Sequence, residues 1–226
     1  MNDKVLIPFI VAIDGPAAAG KGTLARRLAA DFGLAYLDTG SLYRAVAARL
    51  LAAGGDPDDL VAAASAADNL GAADLERGDL RAEAVGAAAS QVSAHAAVRT
   101  ALLDFQRRFA HTPPAPHRGA VLDGRDIGTV VCPDACAKLF VTAGVEERAR
   151  RRHEELRGGG QDSIYADVLR DMQARDARDA ARDIAPLNAA PDAYRLDTSA
   201  MTVDEAFRLA RNVIRCRCLG GDGVGA

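Results

Sequence analysis

The sequence predicts an α/β fold in which one parallel sheet is wrapped by helices, and three observations lead there. Five short aliphatic runs, each bounded by turn or acidic residues, are too brief for helices; longer helical patterns separate them; and the first run passes through a glycine-rich turn into a helix. The runs that read as buried strands are 9–13, 34–37, 120–122, 138–141 and 194–196. Helical patterns cover 22–31, 41–53, 98–110, 145–157, 163–183 and 202–215, with a further helix near 57–70. The segment GAADLERGDLRAEAVGAAAS that follows carries no assignable pattern. HTPPAPHRG reads as an exposed connector, and the closing GGDGVGA as a disordered tail.

Four strands are followed directly by aspartate (Asp14, Asp38, Asp123 and Asp197) and the fourth by Thr142. Polar groups therefore gather at the carboxyl edge of the sheet, where open parallel sheets bind ligands. The alternative for any one aspartate is that it starts a turn or caps a helix. Asp38 and Asp123 are the stronger functional candidates, because each opens a distinctive motif.

A chain of 226 residues, 49% hydrophobic, supports one substantial core. A net charge of -3 and a pI near 5.8 argue against electrostatic binding to nucleic acid, so an anionic ligand must meet local cations. Lysine occurs only at positions 4, 21 and 138, which leaves that task to arginine, whose planar fork suits phosphate and carboxylate. The opening apolar run is too short to span a bilayer. Cys132, Cys136, Cys216 and Cys218 have no zinc-type or redox spacing, and no secretory signal precedes them, so a reduced cytoplasm is the simplest compartment. Cys132 and Cys136 are expected to pack rather than react. The four histidines share no spacing and are expected at the surface.

The segment IDGPAAAGKGTLARRL carries the chemistry. Gly15, Pro16, Ala17, Ala18, Ala19, Gly20, Lys21, Gly22 and Thr23 form a loop between strand and helix whose backbone N–H groups can point at phosphate oxygens, aided by the positive end of the helix. Lys21 can reach a transferred phosphoryl group, and Thr23 can hold magnesium directly or through water. Gly22 stands where Ser or Thr is usual, so the hydroxyl comes one place later; this GKGT form resembles nucleoside monophosphate kinases. The loop predicts a P-loop NTPase-type three-layer fold with ATP as a substrate.

The loop alone does not choose an acceptor. Arg44 in DTGSLYR and Arg125 in LDGRDIGTVV each follow a strand at the same sheet edge, and a phosphate acceptor needs such arginines. Arg175, Asp179 and Arg182 are spaced i, i+4, i+7, so one helix face presents all three. A solvated face of ion pairs is the alternative, but the arginine-rich RARRRHEELRGGGQ before it suits a hinged lid.

Together IDGPAAAGKGT, YLDTGSLYR, ASQVSAHAAVR, LDGRDIGTVV and RDARDAARDIAPL resemble the bacterial cytidylate kinases, in family order and over nearly the whole chain except 54–82. The resemblance implies that Ser90, Arg99 and Asp126 hold cytosine: carboxylate and hydroxyl accept from its exocyclic amine, and arginine donates to its ring nitrogen and carbonyl. It further implies that Arg44 and Arg125 grip the acceptor phosphate, that Arg182 bridges toward the transferred group, and that Arg175 and Asp179 meet the sugar hydroxyl. Thr39 stands where a serine is expected. The implied organisation is a single kinase domain, 1–219, with a monophosphate-binding region about 39–110, a lid about 148–183 and a tail 220–226. The insert is shortened around 71–86.

The implied reaction is ATP plus CMP or dCMP giving ADP plus CDP or dCDP, with Mg2+, in a cytoplasmic monomer that engages neither nucleic acid nor membrane. Two rivals remain at this stage. A shikimate-type kinase of a small metabolite would share loop and lid but lack the paired acceptor arginines with Asp126. A nucleotide-dependent switch would need a guanine-reading NKxD, which is absent.

Overall fold

A computed structural model describes residues 9–182 and 184–220. Five parallel strands lie in the order β2-β3-β1-β4-β5: β1 (Phe9–Asp14), β2 (Ala35–Asp38), β3 (Gly119–Gly124), β4 (Ala137–Thr142) and β5 (Tyr194–Asp197). All five runs read from the sequence are strands. Register aligns their carboxyl ends: Asp38 faces Asp123, Asp14 faces Gly124 and Phe140, and Thr142 faces Asp197. The polar edge expected from the sequence is therefore one contiguous rim.

Alternation along β1 explains why the sheet needs two covers. Val11 and Ile13 pack with Leu24 and Leu28 of α1 (Lys21–Phe32) and with Ile214 of α9 (Val203–Leu219). Ile10 and Ala12 face the other way, toward Ala110 at the end of α6 (Ala96–His111), Ile127 and Val131. Both faces are dry, as a parallel sheet requires. Truncating a side chain such as Leu28, which is fully buried, is expected to cost about 2–5 kcal/mol.

A second core joins α2 (Thr39–Ala52) to α3 (Leu60–Asp68), α5 (Glu83–Val92) and the start of α6, half of it alanine, with the short α4 (Ala72–Leu75) contributing no buried residue. The segment without a sequence pattern thus holds two helices. Asp59 accepts from Val61 N and Ala62 N and so starts α3 later than the predicted 57. The pair α7 (Val145–Gly158) and α8 (Tyr165–Ala180), which covers most of the segment expected to be a lid, has its own small core of Ala149, Leu156, Val168 and Met172.

Two expectations are corrected. The helix expected to reach 183 ends at Ala180, so Arg182 lies beyond its last turn, followed by Ile184 and the turn at Ala185–Pro186; Asp183 lies outside the described residues, as do 221–226 of the expected tail. Cys136 does not merely pack: it is joined to Cys218, 82 residues away at the end of α9. That pairing is made by the docking of α9 beside β4, which no local cysteine spacing can announce. Cys132 is buried as expected, with its thiol pushed up to about 12 by burial.

Candidate active site

The carboxyl rim opens into a cleft of about 1070 Å³ bounded by the phosphate loop, α2, α5, the loop after β3 and the lid. At its base the loop from Gly15 to Thr23 turns out of β1. Gly15 has φ 145°, and a Cβ there would lie 1.9 Å from the Val141 carbonyl oxygen, so only glycine lets the loop leave between β1 and β4. Lys21 is buried and donates from Nζ to the Pro16 carbonyl at 2.7 Å, which curls the loop around its own lysine. Burial, and next the Arg125 guanidinium, push the Lys21 ammonium down from its ordinary value.

Asp123 lies against this loop. Its carboxylate accepts from Tyr36 Oη at 3.1 Å, and burial together with Asp38 raises it above the ordinary carboxylate range. Thr39 is buried, and its hydroxyl donates to the Asp123 carbonyl at 2.7 Å, so it fastens α2 to β3. Asp38 accepts from Ser41 N, capping α2, and from Arg44 Nη2 at 2.6 Å.

The acceptor side is made of arginine–aspartate pairs between distant elements. Arg99 of α6 pairs through Nη2 with Asp126, and donates from Nη1 to the Ser93 carbonyl at 3.2 Å. Arg125 donates from Nε to Asp179 of α8 at 3.0 Å, and Arg182 donates from Nη2 to the other oxygen of the same carboxylate. Burial works against the charge on Asp179, but Arg125 and Arg182 hold it below the ordinary range. Arg175 lies over the same space, and burial with the neighbouring Arg125 charge pushes it down to about 10. Among the described residues, the buried Nε of Arg44, Arg175 and Arg182 has no partner. Unpartnered buried donors are rare, so these three N–H groups mark the part of the cleft wall that lacks acceptors.

The cleft wall thus holds Thr39, Arg44, Arg99, Arg125, Asp126, Arg175, Asp179 and Arg182 together with the phosphate loop. Ser90 sits one turn back: it is buried, with Oγ accepting from Arg178 Nε at 3.4 Å, and Ser93 is the serine on the wall.

The roles of two residues escaped the sequence reading. Asp14 is buried, and its two oxygens accept from Ile127 N at 2.7 Å and Gly128 N at 2.8 Å. Those groups open a π-helical turn, Ile127–Val131, that begins directly after Asp126. A wide turn of this kind re-aims one side chain, and Asp14 supplies the acceptors its first N–H groups lack. Arg148 is buried and donates to the Ala143 carbonyl, the Ala17 carbonyl and Asp176, fastening α8 to the phosphate loop. A charged residue on each of two successive helices was visible; that they meet over Ala17 was not.

Thr23 stands exposed at the end of the loop, and Asp38 and Asp123 line the same cleft. Among the described residues, no three His, Cys, Asp or Glu side chains cluster to hold a metal alone. An exposed hydroxyl in a cleft that also holds two carboxylates fits magnesium, which takes most of its ligands from phosphate and water.

The model of the cytidylate kinase family matches residues 11–215, from β1 to the last turns of α9. The chain belongs to that family. It is 59% identical over 205 residues to the cytidylate kinase of Paramagnetospirillum magneticum, covering 91% of this chain and 97% of that one. It is 57% identical to the enzyme of Rhodospirillum rubrum, with the same coverage of each chain. The cytidylate kinase of Xanthobacter autotrophicus is 56% identical over 212 residues, 94% of this chain and 100% of its own. A solved structure from Eubacterium ventriosum superposes with a TM-score of 0.52 at 14% identity, covering 92% of this chain and 99% of that one, which speaks to the fold alone. Family membership leaves the α/β kinase fold as read and removes both rivals. No helix among the described residues is long and apolar enough to cross a membrane.

Proposed function

We propose that the chain transfers the terminal phosphoryl group of ATP to CMP or dCMP, giving ADP and CDP or dCDP. The observation that carries this is the single cleft in which the phosphate loop, with its buried Lys21, faces the Arg99–Asp126 pair and the arginines held by Asp179.

ATP lies along Gly15 to Thr23, its phosphates cradled by backbone N–H groups and Lys21. Asp126 and Arg99 read the cytosine amine and carbonyl, with Ser90 behind them. Arg44 and Arg125 take the acceptor phosphate, Arg182 spans to the group in transit, and Arg175 and Asp179 meet the sugar. Thr23 would hold magnesium, which would supply charge neutralisation on the phosphate oxygens. One phosphate oxygen of CMP attacks the terminal phosphorus in line, the bond to the bridging oxygen breaks, and ADP leaves with that electron pair. No general base is required, because the attacking oxygen is already ionised near neutral pH. The chain contributes alignment and charge neutralisation.

The lid formed by α7 and α8 excludes water when it closes, which suppresses ATP hydrolysis. In this reading the protein acts in the cytoplasm as a monomer with one kinase domain, a monophosphate-binding region about 39–110 and a lid about 148–183. ADP release measured with purified protein, ATP, magnesium and CMP tests it. Release that does not depend on CMP would leave an ATPase instead.

A further inference from the structure

We infer that Ser93 is a positioning residue that couples base reading to the lid arginine. This rests on the proposed role of Arg182 at the phosphoryl group in transit.

Ser93 is the residue on which α5 ends, and it is buried. Its hydroxyl donates to the Ser90 carbonyl at 3.0 Å, satisfying an acceptor that the helix end leaves open. The oxygen retains lone pairs, and Arg182 Nη2 donates to it at 2.8 Å. The carbonyl of the same residue accepts from Arg99 Nη1. One residue therefore holds the arginine beside the base pocket and the arginine of the lid.

The geometry gives Ser93 a task that Asp179 cannot perform alone. Arg182 lies past the last turn of α8, so no helical backbone fixes its side chain. Asp179 tethers it to its own helix and also holds Arg125. A guanidinium tied only to the lid moves with the lid. The Ser93 bond is its tie to the monophosphate-binding insert, so the guanidinium reaches its working place only when insert and lid are docked, with α5 seated by Arg99. Among the charged groups around Arg182, Asp179 attracts it while Arg125, Arg99 and Arg175 repel it, so its docked position needs a further acceptor. A hydroxyl serves where a second carboxylate would pair with Arg182 too tightly to release it to a phosphate.

The experiment is a double-mutant cycle of kcat at saturating ATP and CMP for the native chain, Ser93→Ala, Arg182→Ala and the double variant. The Ala substitution keeps the Ser93 carbonyl, so the Arg99 contact survives. Loss of one hydrogen bond to a charged group predicts a fall in kcat of about tenfold for Ser93→Ala. In the Arg182→Ala background the same change is expected to alter kcat by less than about twofold, with KM for ATP and the melting midpoint near native in both backgrounds. Equal losses in the two backgrounds, or native kcat for Ser93→Ala, overturn the inference, and so does a loss that tracks a lowered melting midpoint. Native kcat for Arg182→Ala alone would instead sink the role of Arg182, an outcome read from a different corner of the cycle.

Discussion

The donor and acceptor halves of the cleft are built on opposite principles. The phosphate loop is local: nine consecutive residues, three of them glycine, present backbone N–H groups, and the one charged side chain is folded back onto Pro16. The acceptor half is assembled from α2, α6, the loop after β3, α8 and the residues beyond it, and its cations are held by carboxylates from other elements or from the preceding turn. A backbone cradle is organised before any ligand arrives. A set of ion pairs is organised too, but Arg44 and Arg125, proposed to take the acceptor phosphate, must loosen their hold on Asp38 and Asp179 when substrate binds. Donor binding is therefore expected to tolerate side-chain changes in the loop that spare glycine and lysine, whereas acceptor binding depends on many single contacts.

The largest expected effect sharpens this contrast. Lys21→Ala removes the side-chain cation of the donor half, and kcat is expected to fall by about 10³-fold in an ADP-release assay; native kcat would remove Lys21 from the chemistry. Next comes Asp126→Ala, for which kcat/KM with CMP should fall by on the order of 10²-fold and with UMP by less, because the amine of cytosine loses its acceptor. Equal losses for both nucleotides would take base reading away from Asp126.

Asp14 tests the joint between the halves, since it roots the phosphate loop yet caps the turn behind Asp126. Burial raises it to about 7, with its two backbone hydrogen bonds and Lys21 opposing and Asp126 adding to the rise. Between about pH 4, where the unfolded carboxyl ionises, and pH 7, the folded chain retains a proton that the unfolded chain has lost. The associated stability is complete below the lower limit and is lost as pH rises through 7. Melting midpoints of Asp14→Asn are accordingly expected to decline less steeply across that window than those of the native chain; parallel curves would show that Asp14 does not titrate there.

The smallest effect lies outside the cleft. His111 donates from Nε2 to the Asp134 carboxylate, and that bond raises its pKa, so the pair stabilises below about pH 6.5 and fades above it. Both side chains are well exposed, so His111→Ala is expected to cost under about 1 kcal/mol in thermal melts and to leave kcat unchanged.

The two halves also differ in how much of them the sequence discloses. The loop, its strand and its helix are contiguous, so spacing and flanking periodicity sufficed for Gly15 to Thr23. All five strands were legible as short aliphatic runs, the three central ones being buried along nearly their whole length and the edge strands β2 and β5 only in part. The insert helices α4 and α5 were not, because alanine and glycine give no contrast between faces in 71–90. Arginines at 44, 99, 125, 175 and 182 could be singled out, but their partners could not: Asp179 meets Arg125 across 54 positions and Asp126 meets Arg99 across 27. The π-helical turn after Asp126, the cap from Asp14 and the Cys136–Cys218 link all depend on contacts between elements far apart in the chain. Ser93 sat inside a quoted motif, yet only the docked lid gives its hydroxyl a partner.

The central claim is that the two halves together select a cytosine monophosphate as acceptor. ADP release in the presence of ATP and magnesium, compared across CMP, UMP, AMP and shikimate under identical conditions, addresses it directly. The expected result is the highest kcat/KM with CMP, a lower value with UMP and no stimulation by AMP or shikimate. Faster turnover with AMP or shikimate than with CMP would contradict it.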